Sequence, residues 1–322
     1  MHNEPLVTVF LVTYNHVHTF KQAIESVLSQ KTSFEYKIVV LDDASTDGTS
    51  DIVREYSTLP NVTTVIREEN SKGFNLYLGL KTLDTKYYAL LETDDYWCDD
   101  TKLQQQVDAL EANPDCSACA HNTLVNYVKS GKTRKYSNVT TKIFQYPPKC
   151  LTRSHFISPH TSSRLYRSSC LNLSEIKNPV VATYDIASNF YFLTKGNLYY
   201  IDKLMSVYNY TGHGIYSGVS SYQQRYNAAS VIKQLNEEFE YKYNYLLARL
   251  FAARLNLFVL KYWVLKFTRN PRRLKKYYEK TLKVYKEKYL NARDKKPIIQ
   301  IGMPINKKTS LVFEIRREKD RI

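Results

Sequence analysis

Cysteine is scarce in this chain: Cys98, Cys116, Cys119, Cys150 and Cys170 are the only five in 322 residues. So few, and odd in number, they exclude a disulfide-stapled scaffold. Cys116 and Cys119 make a lone CxxC with no second pair and no suitably spaced histidines, so they read as two small buried thiols on a strand. No stretch reaches the length that spans a bilayer. The most apolar late segment, 243–267, is interrupted by Arg249, Arg254, Lys261 and Lys266. The N-terminus, MHNEPLVTVFLVTYNH, has neither a basic n-region nor a long apolar h-region, so the expected location is cytoplasmic. Sequons such as Asn61-Val-Thr and Asn209-Tyr-Thr then carry no weight. No internal repeat is present, and no recognised nucleic-acid module is visible.

Positive charge, by contrast, is abundant and unevenly placed. Residues 241–322 hold 23 Lys+Arg and 6 Asp+Glu, a net of +17, while 1–240 hold 23 and 25, a net of −2, which together give the formal +15. The first three quarters have the charge balance of an ordinary enzyme, and the last quarter is a basic attachment. With 43% hydrophobic residues the chain can bury a sizeable core.

The stretch YYALLETDDYW, Tyr87–Trp97, sets the problem for the rest. An apolar, β-prone run ends in Glu92-Thr93-Asp94-Asp95, and carboxylates crowded at the end of a buried strand repel one another and resist desolvation. A hard divalent ion, Mg2+ or Mn2+, held by carboxylates and substrate phosphates, answers that cost. Two other buried runs end the same way. LVTVFLV (6–12) runs into Thr13-Tyr14-Asn15, and YKIVVL (36–41) into Asp42-Asp43. A third strand, Val62–Ile66, precedes Arg67. Helices are expected between them: from Phe20, with Thr19 and Gln22 as a capping box; over Asp51–Tyr56; over about 74–83; and after Asp99 or Asp100, with Leu103, Gln106, Val107 and Leu110 on one face. Such alternation implies a parallel, doubly wound sheet whose ligands bind beyond the carboxyl ends of the strands. All three polar clusters then face one crevice. Further on, Ser117–Tyr127 reads as a strand, Ser130–Pro148 as a loop or hairpin and His155–Arg167 as a strand. Thr183–Gly196 reads as a helix with Gly196 as its C-cap, Leu198–Ile201 and Met205–Tyr210 as two short strands, and Thr211–Gly218 as a Gly-rich loop. From about 222 to 293 the pattern is helical, with a break at Asn270-Pro271.

These pieces together resemble family 2 glycosyltransferases with the GT-A fold. The matching segments are VTVFLVTYN, IVVLDDASTDGT, the GF-N stretch after Arg67, ETDDYW, HTSSRLYR, TYDIASNFYFLTKG and the GHGIYSG loop. They cover about two thirds of the chain. The resemblance implies a Rossmann-like, mainly parallel central sheet with helices on both faces, over 1–220, divided into a nucleotide-sugar half (about 1–115) and an acceptor half (about 116–220). The basic, Tyr-rich helical region 221–322 lies outside it. By the same resemblance Thr13, Tyr14, Asn15 and Asp43 hold the nucleotide base, with Asp42 an alternative to Asp43 and Arg67 an added contact. An Asp that accepts from a ring N–H favours uracil. ETDD matches the DXD motif, so Asp94 bonds the ribose and assists at the metal, Asp95 binds the metal, and Glu92 replaces the usual first Asp. Asp185 matches the catalytic base that takes the proton of the acceptor hydroxyl, which gives inversion. His160, Thr161, Ser162, Ser163 and Tyr184 fall where the acceptor or donor sugar binds. His213, in the Gly-rich loop, falls near the diphosphate or the metal.

Two other classes compete with that reading. A nucleotidyltransferase shares the sheet type, but it requires a Gly-rich, Lys/Arg-containing loop after the first strand, where TYNHVH stands instead. Nucleic-acid binding through the basic tail would use tyrosines interleaved with lysines; in the absence of a recognised module no nucleic acid is expected. The tail reads better as peripheral attachment of residues 241–322 to an anionic membrane surface at the inner face of the cell membrane, with an amphipathic helix such as 243–267 lying in the interface; the alternative is that these helices pack on the catalytic domain or a partner subunit and leave a solvated basic face. That suits a nucleotide-sugar donor and a glycan or lipid-linked acceptor. A homo-oligomer is compatible with the sequence.

Overall fold

The computed structural model describes residues 4–139, 142–144, 158–211, 218–255, 270–287, 299–304 and 310–315. Its first half is a strand–helix alternation: β1 (Val7–Thr13), α1 (Phe20–Leu28), β2 (Tyr36–Asp42), α2 (Thr49–Tyr56), β3 (Val62–Ile66), α3 (Asn75–Leu80) and β4 (Tyr87–Glu92). Then come β5 (Tyr96–Trp97), α4 (Lys102–Ala112), β6 (Cys116–Tyr127), β7 (Lys132–Lys135), β8 (Ile143–Phe144) and β9 (Leu165–Arg167). The second half continues with α5 (Val180–Thr183), α6 (Asp185–Leu193), β10 (Asn197–Tyr210), α7 (Ser221–Glu238), α8 (Asn244–Arg254) and α9 (Pro271–Tyr285). A separate hairpin, β11 (Ile299–Pro304) and β12 (Ser310–Ile315), completes the described elements.

The main sheet runs β3-β2-β1-β4-β9-β6-β10-β5, with β7 beside β6 and β8 beside β10. Strands β1 to β4 pair in parallel, and β6 and β10 also pair in parallel. Antiparallel pairing enters through β9, which joins the two halves, and through the edge pieces β5, β7 and β8. The apolar runs of β1, β2 and β4 are buried on both faces. Val9, Val40 and Leu91 face one core with α1, α2 and α4, while Phe10, Val39 and Leu90 face the other with α3, α5 and α6. The alternation of side chains along a strand produces these two cores. The second core extends without a break into α7, α8 and α9 through Ile232, Leu247, Phe251, Leu274 and Tyr278.

Several local expectations change. Thr19 occupies the N-cap of α1, but its side chain makes no cap bond, so the capping box does not form. The expected strand over His155–Arg167 contracts to β9, preceded by a short 3₁₀ turn at Thr161–Ser163; 155–157 lie outside the described residues. The two short strands after Gly196 are one strand, β10, irregular between Ile201 and Ser206, where the chain slips against β6. That irregularity turns Asp202 and Lys203 outward. Gly196 is not the C-cap of α6; Thr194 is. It is required for a different reason: a Cβ there would lie 2.7 Å from the Asp115 carbonyl oxygen and 2.9 Å from the Ser117 nitrogen. Both are backbone atoms on the approach to β6 and cannot swing aside. Gly196→Ala is therefore expected to lower stability by about 1–3 kcal/mol, the usual cost of overpacking, read in urea as a lower midpoint at unchanged slope. An unchanged midpoint would show that the turn relaxes freely.

Candidate active site

Parallel register gathers the strand-end motifs. Thr13 on β1 lies opposite Asp42 on β2, and Val12 lies opposite Glu92 on β4. Thr93 then donates its N–H to the Val12 carbonyl, and Asp43 donates its N–H to the Thr13 carbonyl. The three polar clusters thus open into one crevice at the carboxyl ends of the strands, where open α/β sheets bind ligands.

Within that crevice Asp42 and Asp43 differ. Asp42 is buried and fully committed: Oδ1 accepts from the Ser45 N–H (3.1 Å) and hydroxyl (2.6 Å), and Oδ2 accepts from the Ser50 hydroxyl. It braces the loop that enters α2. Asp43 uses only Oδ1, which accepts from the Ser71 N–H at 2.8 Å; among the described residues nothing donates to Oδ2. Asn15 is also a brace. With φ at 57° it donates its N–H to Ser45 Oγ (2.9 Å) and accepts from the Thr46 N–H (2.8 Å). Arg67 is held by Asn75 Oδ1 at 2.6 Å, and Asn75 donates in turn to the Leu41 carbonyl. Tyr14 is 40% exposed beside them, and the buried Thr13 Oγ1 has no partner among the described residues.

Glu92, Asp94 and Asp95 each offer a carboxylate oxygen to one point, the three oxygens lying within 4.8 Å of one another. Asp95 is buried. Its Oδ1 accepts from the Asn209 N–H (3.0 Å), whereas its Oδ2 is buried with no hydrogen-bond donor among the described residues. Asn209 also donates from Nδ2 to the Asp94 carbonyl (2.9 Å), so β10 fixes the turn that carries the carboxylates. Desolvation, then the charges of Asp94 and Asp185, push Glu92 up to about 8. Asp94 and Asp95 are raised as well, desolvation again being the first cause. An orphaned buried carboxylate oxygen in an all-oxygen cluster fits a hard divalent cation, with Asp95, Asp94 and Glu92 as the residues that would hold it. His213 lies outside the described residues.

Asp185 is the first residue of α6, and Tyr184, not Asp185, occupies the N-cap; no side-chain cap bond forms there. The Asp185 carboxylate is instead positioned by tertiary contacts. Oδ1 accepts from the Thr161 hydroxyl and lies 4.0 Å from Arg164 Nη2. No donor among the described residues reaches Oδ2, and the side chain is 47% exposed. Arg164 is 1% exposed and was not anticipated from sequence. It donates to the Pro159 carbonyl from Nε (2.8 Å), to the Asp185 carbonyl from Nη1 (3.0 Å) and to Ser158 Oγ from Nη2 (3.2 Å). One buried cation therefore clamps the start of α6 to the segment before β9.

The HTSS segment is mostly support rather than a sugar pocket. Ser162 and Ser163 have no exposed surface, and His160 and Thr161 are buried. Trp97 Nε1 donates to the Ser162 carbonyl (3.0 Å), and Gln106 Nε2 to the Ser163 carbonyl (2.8 Å). His160, driven down to about 4 by desolvation, is neutral; it lies 3.8 Å from Asp95 Oδ2 and stacks on Tyr208 with ring centroids 4.4 Å apart. Tyr184 packs its ring against the core. Of this group, Thr161 bonds the Asp185 carboxylate, and His160 lies beside Asp95. Sequence reasoning also missed Asn209, Tyr208 and His16, whose Nδ1 lies 2.9 Å from Thr93 Oγ1. Only the arginine inside HTSSRLYR left a trace, as a charge that must be partnered if buried.

Comparison with known proteins agrees with this geometry. Residues 8–172 match the family described as glycosyl transferase family 2. The putative teichuronic acid biosynthesis glycosyltransferase TuaG of Bacillus subtilis is 32% identical over 107 residues, 33% of this chain and 42% of that protein. The Escherichia coli UDP-Glc:alpha-D-GlcNAc-diphosphoundecaprenol beta-1,3-glucosyltransferase WfaP is 33% identical over 108 residues, 33% of this chain and 41% of that protein. The matches thus span about two fifths of these relatives' own length. Among solved structures, S. aureus TarS 1–349 with UDP-GlcNAc superposes at a TM-score of 0.58, with 17% identity, 87% of this chain and 81% of that one. The mannosyltransferase PcManGT of Pyrobaculum calidifontis, with GDP-Man and Mn2+, superposes at 0.53, with 15% identity, 91% of this chain and 89% of that one. At those identities the likeness is one of fold, whereas the family match covers half the chain. This chain belongs to glycosyl transferase family 2.

Proposed function

We propose that the chain moves a sugar from a nucleotide sugar, a UDP-sugar first among them, to a hydroxyl of a glycan or lipid-linked acceptor with inversion of configuration. The observation that carries this reading is the orphaned Asp95 oxygen in its carboxylate cluster, sharing one crevice with an Asp185 whose second oxygen is open. Asp185 takes the proton as the acceptor oxygen forms its bond to the anomeric carbon; the bond from that carbon to the diphosphate breaks, and nucleoside diphosphate leaves. Thr161 and Arg164 keep the base oriented. A bound divalent cation supplies charge neutralisation for the diphosphate. Asp43, Tyr14 and Thr13 form the base pocket, and Asp42, Asn15 and Arg67 shape it. UDP-Glc in the name of WfaP and UDP-GlcNAc beside TarS favour uracil, whereas PcManGT carries GDP-Man.

Aromatic rings next to the carboxylates support a sugar acceptor. Tyr208 lies under the influence of Asp95, Asp94 and Glu92, which with desolvation raise its phenol. Tyr210 meets Tyr208 edge-on at 6.1 Å, and Tyr127 meets Tyr210 at 5.4 Å. Flat apolar rings edged with hydroxyls suit the faces of pyranosides. The reading extends to attachment of 241–322 to an anionic membrane surface, where a lipid-linked acceptor is presented; no helix among the described residues is long and apolar enough to cross a membrane.

Three measurements test the site. In a UDP-sugar screen with Mg2+ or Mn2+, the protein is expected to release UDP, and Asp185→Asn to lower turnover about 100-fold or more while UDP binding by calorimetry is unchanged. Pyrophosphate release from a nucleoside triphosphate would point to a nucleotidyltransferase instead. Asp43→Ala is expected to weaken UDP binding about tenfold or more, whereas Asp42→Ala chiefly lowers the melting temperature; the opposite pattern would exchange their roles. The third concerns pH. Because desolvation and mutual repulsion raise the carboxylates of this cluster, Asp94 and the buried Asp95 as well as the more exposed Glu92, the folded state binds more protons than the unfolded one, and stability falls as pH rises from the ordinary carboxylate range to about 8. Mn2+ should therefore raise the melting temperature more at pH 8.5 than at pH 6, and Asp95→Ala should erase the effect. A melting temperature indifferent to Mn2+ at both pH values would remove the metal from the proposal.

A further inference from the structure

Of the 243–267 segment expected to lie in a membrane interface, 256–267 are outside the described residues, and the described part, α8, turns its apolar side chains inward. α8 buries Leu246, Leu247, Ala248, Phe251 and Ala252 in the second core. α9 buries Leu274, Tyr278, Leu282 and Tyr285 in the same core; Phe251 meets the Tyr278 ring edge-on at 4.6 Å, and Asn236 and Asn244 each lie 3.2 Å from the Tyr278 hydroxyl. The start of α9 is fixed by the Asn270 side chain, which accepts from the Arg272 N–H (3.0 Å) and the Arg273 N–H (3.4 Å), with Pro271 as the first helical residue.

What α9 leaves outward is charge. Arg272, Arg273, Lys275, Lys276, Lys280, Lys283 and Lys286 are all exposed, against Glu279 and Glu287. At about 100° per residue they fall within an arc of about 160°, along a helix about 22 Å long. Among the described residues only two of the seven have a carboxylate in reach: Lys275 with Glu237 at 3.8 Å and Lys283 with Glu287 at 4.0 Å. A stripe of exposed cations, most of them without a carboxylate partner among the described residues, on a helix whose other face is locked into the core matches an extended anionic surface. A single-stranded nucleic acid would need stacking rings, and the α9 tyrosines are turned inward: Tyr278 and Tyr285 are buried, and Tyr277 is half-buried.

We propose that the outward cationic face of α9 is the docking surface for an anionic phospholipid bilayer, and that it acts by charge alone, without insertion. This deepens the membrane attachment proposed above, rests on it, and is independent of the transfer chemistry. The test is sedimentation of the full chain with phosphatidylcholine vesicles, with and without 30% phosphatidylglycerol, across salt. Wild type should bind only the anionic vesicles and be released by about 0.5 M NaCl, since the Debye length there is only a few ångströms. The variant Arg273→Gln/Lys276→Gln/Lys280→Gln/Lys283→Gln should bind on the order of 100-fold more weakly or worse, at about 1 kcal/mol per cation. Neutralising four other exposed lysines (Lys21→Gln/Lys81→Gln/Lys129→Gln/Lys132→Gln) should leave most of the binding. Melting temperature and UDP release from the UDP-sugar should be unchanged in both variants. Anionic-vesicle binding that survives the α9 variant, or that resists high salt, would overturn the α9 assignment while keeping the attachment. Absence of wild-type binding at low salt would remove the attachment itself. Tighter binding to duplex DNA than to anionic vesicles, lost in the α9 variant, would reassign the face to nucleic acid.

Discussion

The organising constraint is an imbalance of charge at the end of β4. Glu92, Asp94 and Asp95 converge, and Asp185 acts electrostatically on Glu92 and Asp95 from the start of α6. Against these four carboxylates the described residues set the buried cation Arg164, beside Asp185, and a His160 held neutral by desolvation. Such a site must either take up protons, as the raised carboxylates do, or take up a cation. The two are alternatives, because a metal ligand must be deprotonated. The orphaned Asp95 oxygen shows where the imbalance is least relieved by the protein itself.

Keeping like charges together requires a scaffold that cannot relax away from them. β10 supplies part of it by holding the carboxylate turn through both the backbone and the side chain of Asn209. α4 supplies another part. Gln106 reaches the Ser163 carbonyl, and Lys102, fully buried, sits 3.8 Å over the Trp97 ring with Gln106 Oε1 as its hydrogen-bond partner. Desolvation pulls that lysine down to about 7, so this brace carries less than a full charge near neutral pH. Trp97 and Gln106 together fix the turn from which Thr161 reaches Asp185. Ser162 and Ser163, fully buried, thus belong to the framework that positions the Asp185 carboxylate.

The parallel half was legible because its signals are local and repeated. Apolar runs ending in TYN, DD and ETDD fix both the strands and the side of the sheet on which their polar ends emerge. The distinction between Asp42 and Asp43 was not legible, since it depends on which carboxylate the Ser45–Ser50 loop captures. The role of Arg164 was hidden for a similar reason: its partners, Pro159 and Asp185, are set by how β9 enters the sheet between β4 and β6. Gly196 gave a correct signal with the wrong cause. Its position at a helix end suggested a left-handed cap, but the close approach of the chain at Asp115 and Ser117 is what forbids a side chain.

The basic tail shows the same separation of pattern from cause. Helical periodicity around Asn270-Pro271 was readable, and α9 begins there. Periodicity alone, however, leaves open whether an apolar stripe meets a bilayer or the rest of the protein. In α9 the stripe of Leu274, Tyr278, Leu282 and Tyr285 is continuous with the core that also holds Phe10 and Tyr88 of the central sheet. The helix is therefore committed inward, and only its cations remain for a partner. Burial of the apolar face and exposure of the charged face are then two consequences of one packing arrangement. The net +17 of the last quarter becomes, over α9, a property of one rigid surface anchored to the catalytic core.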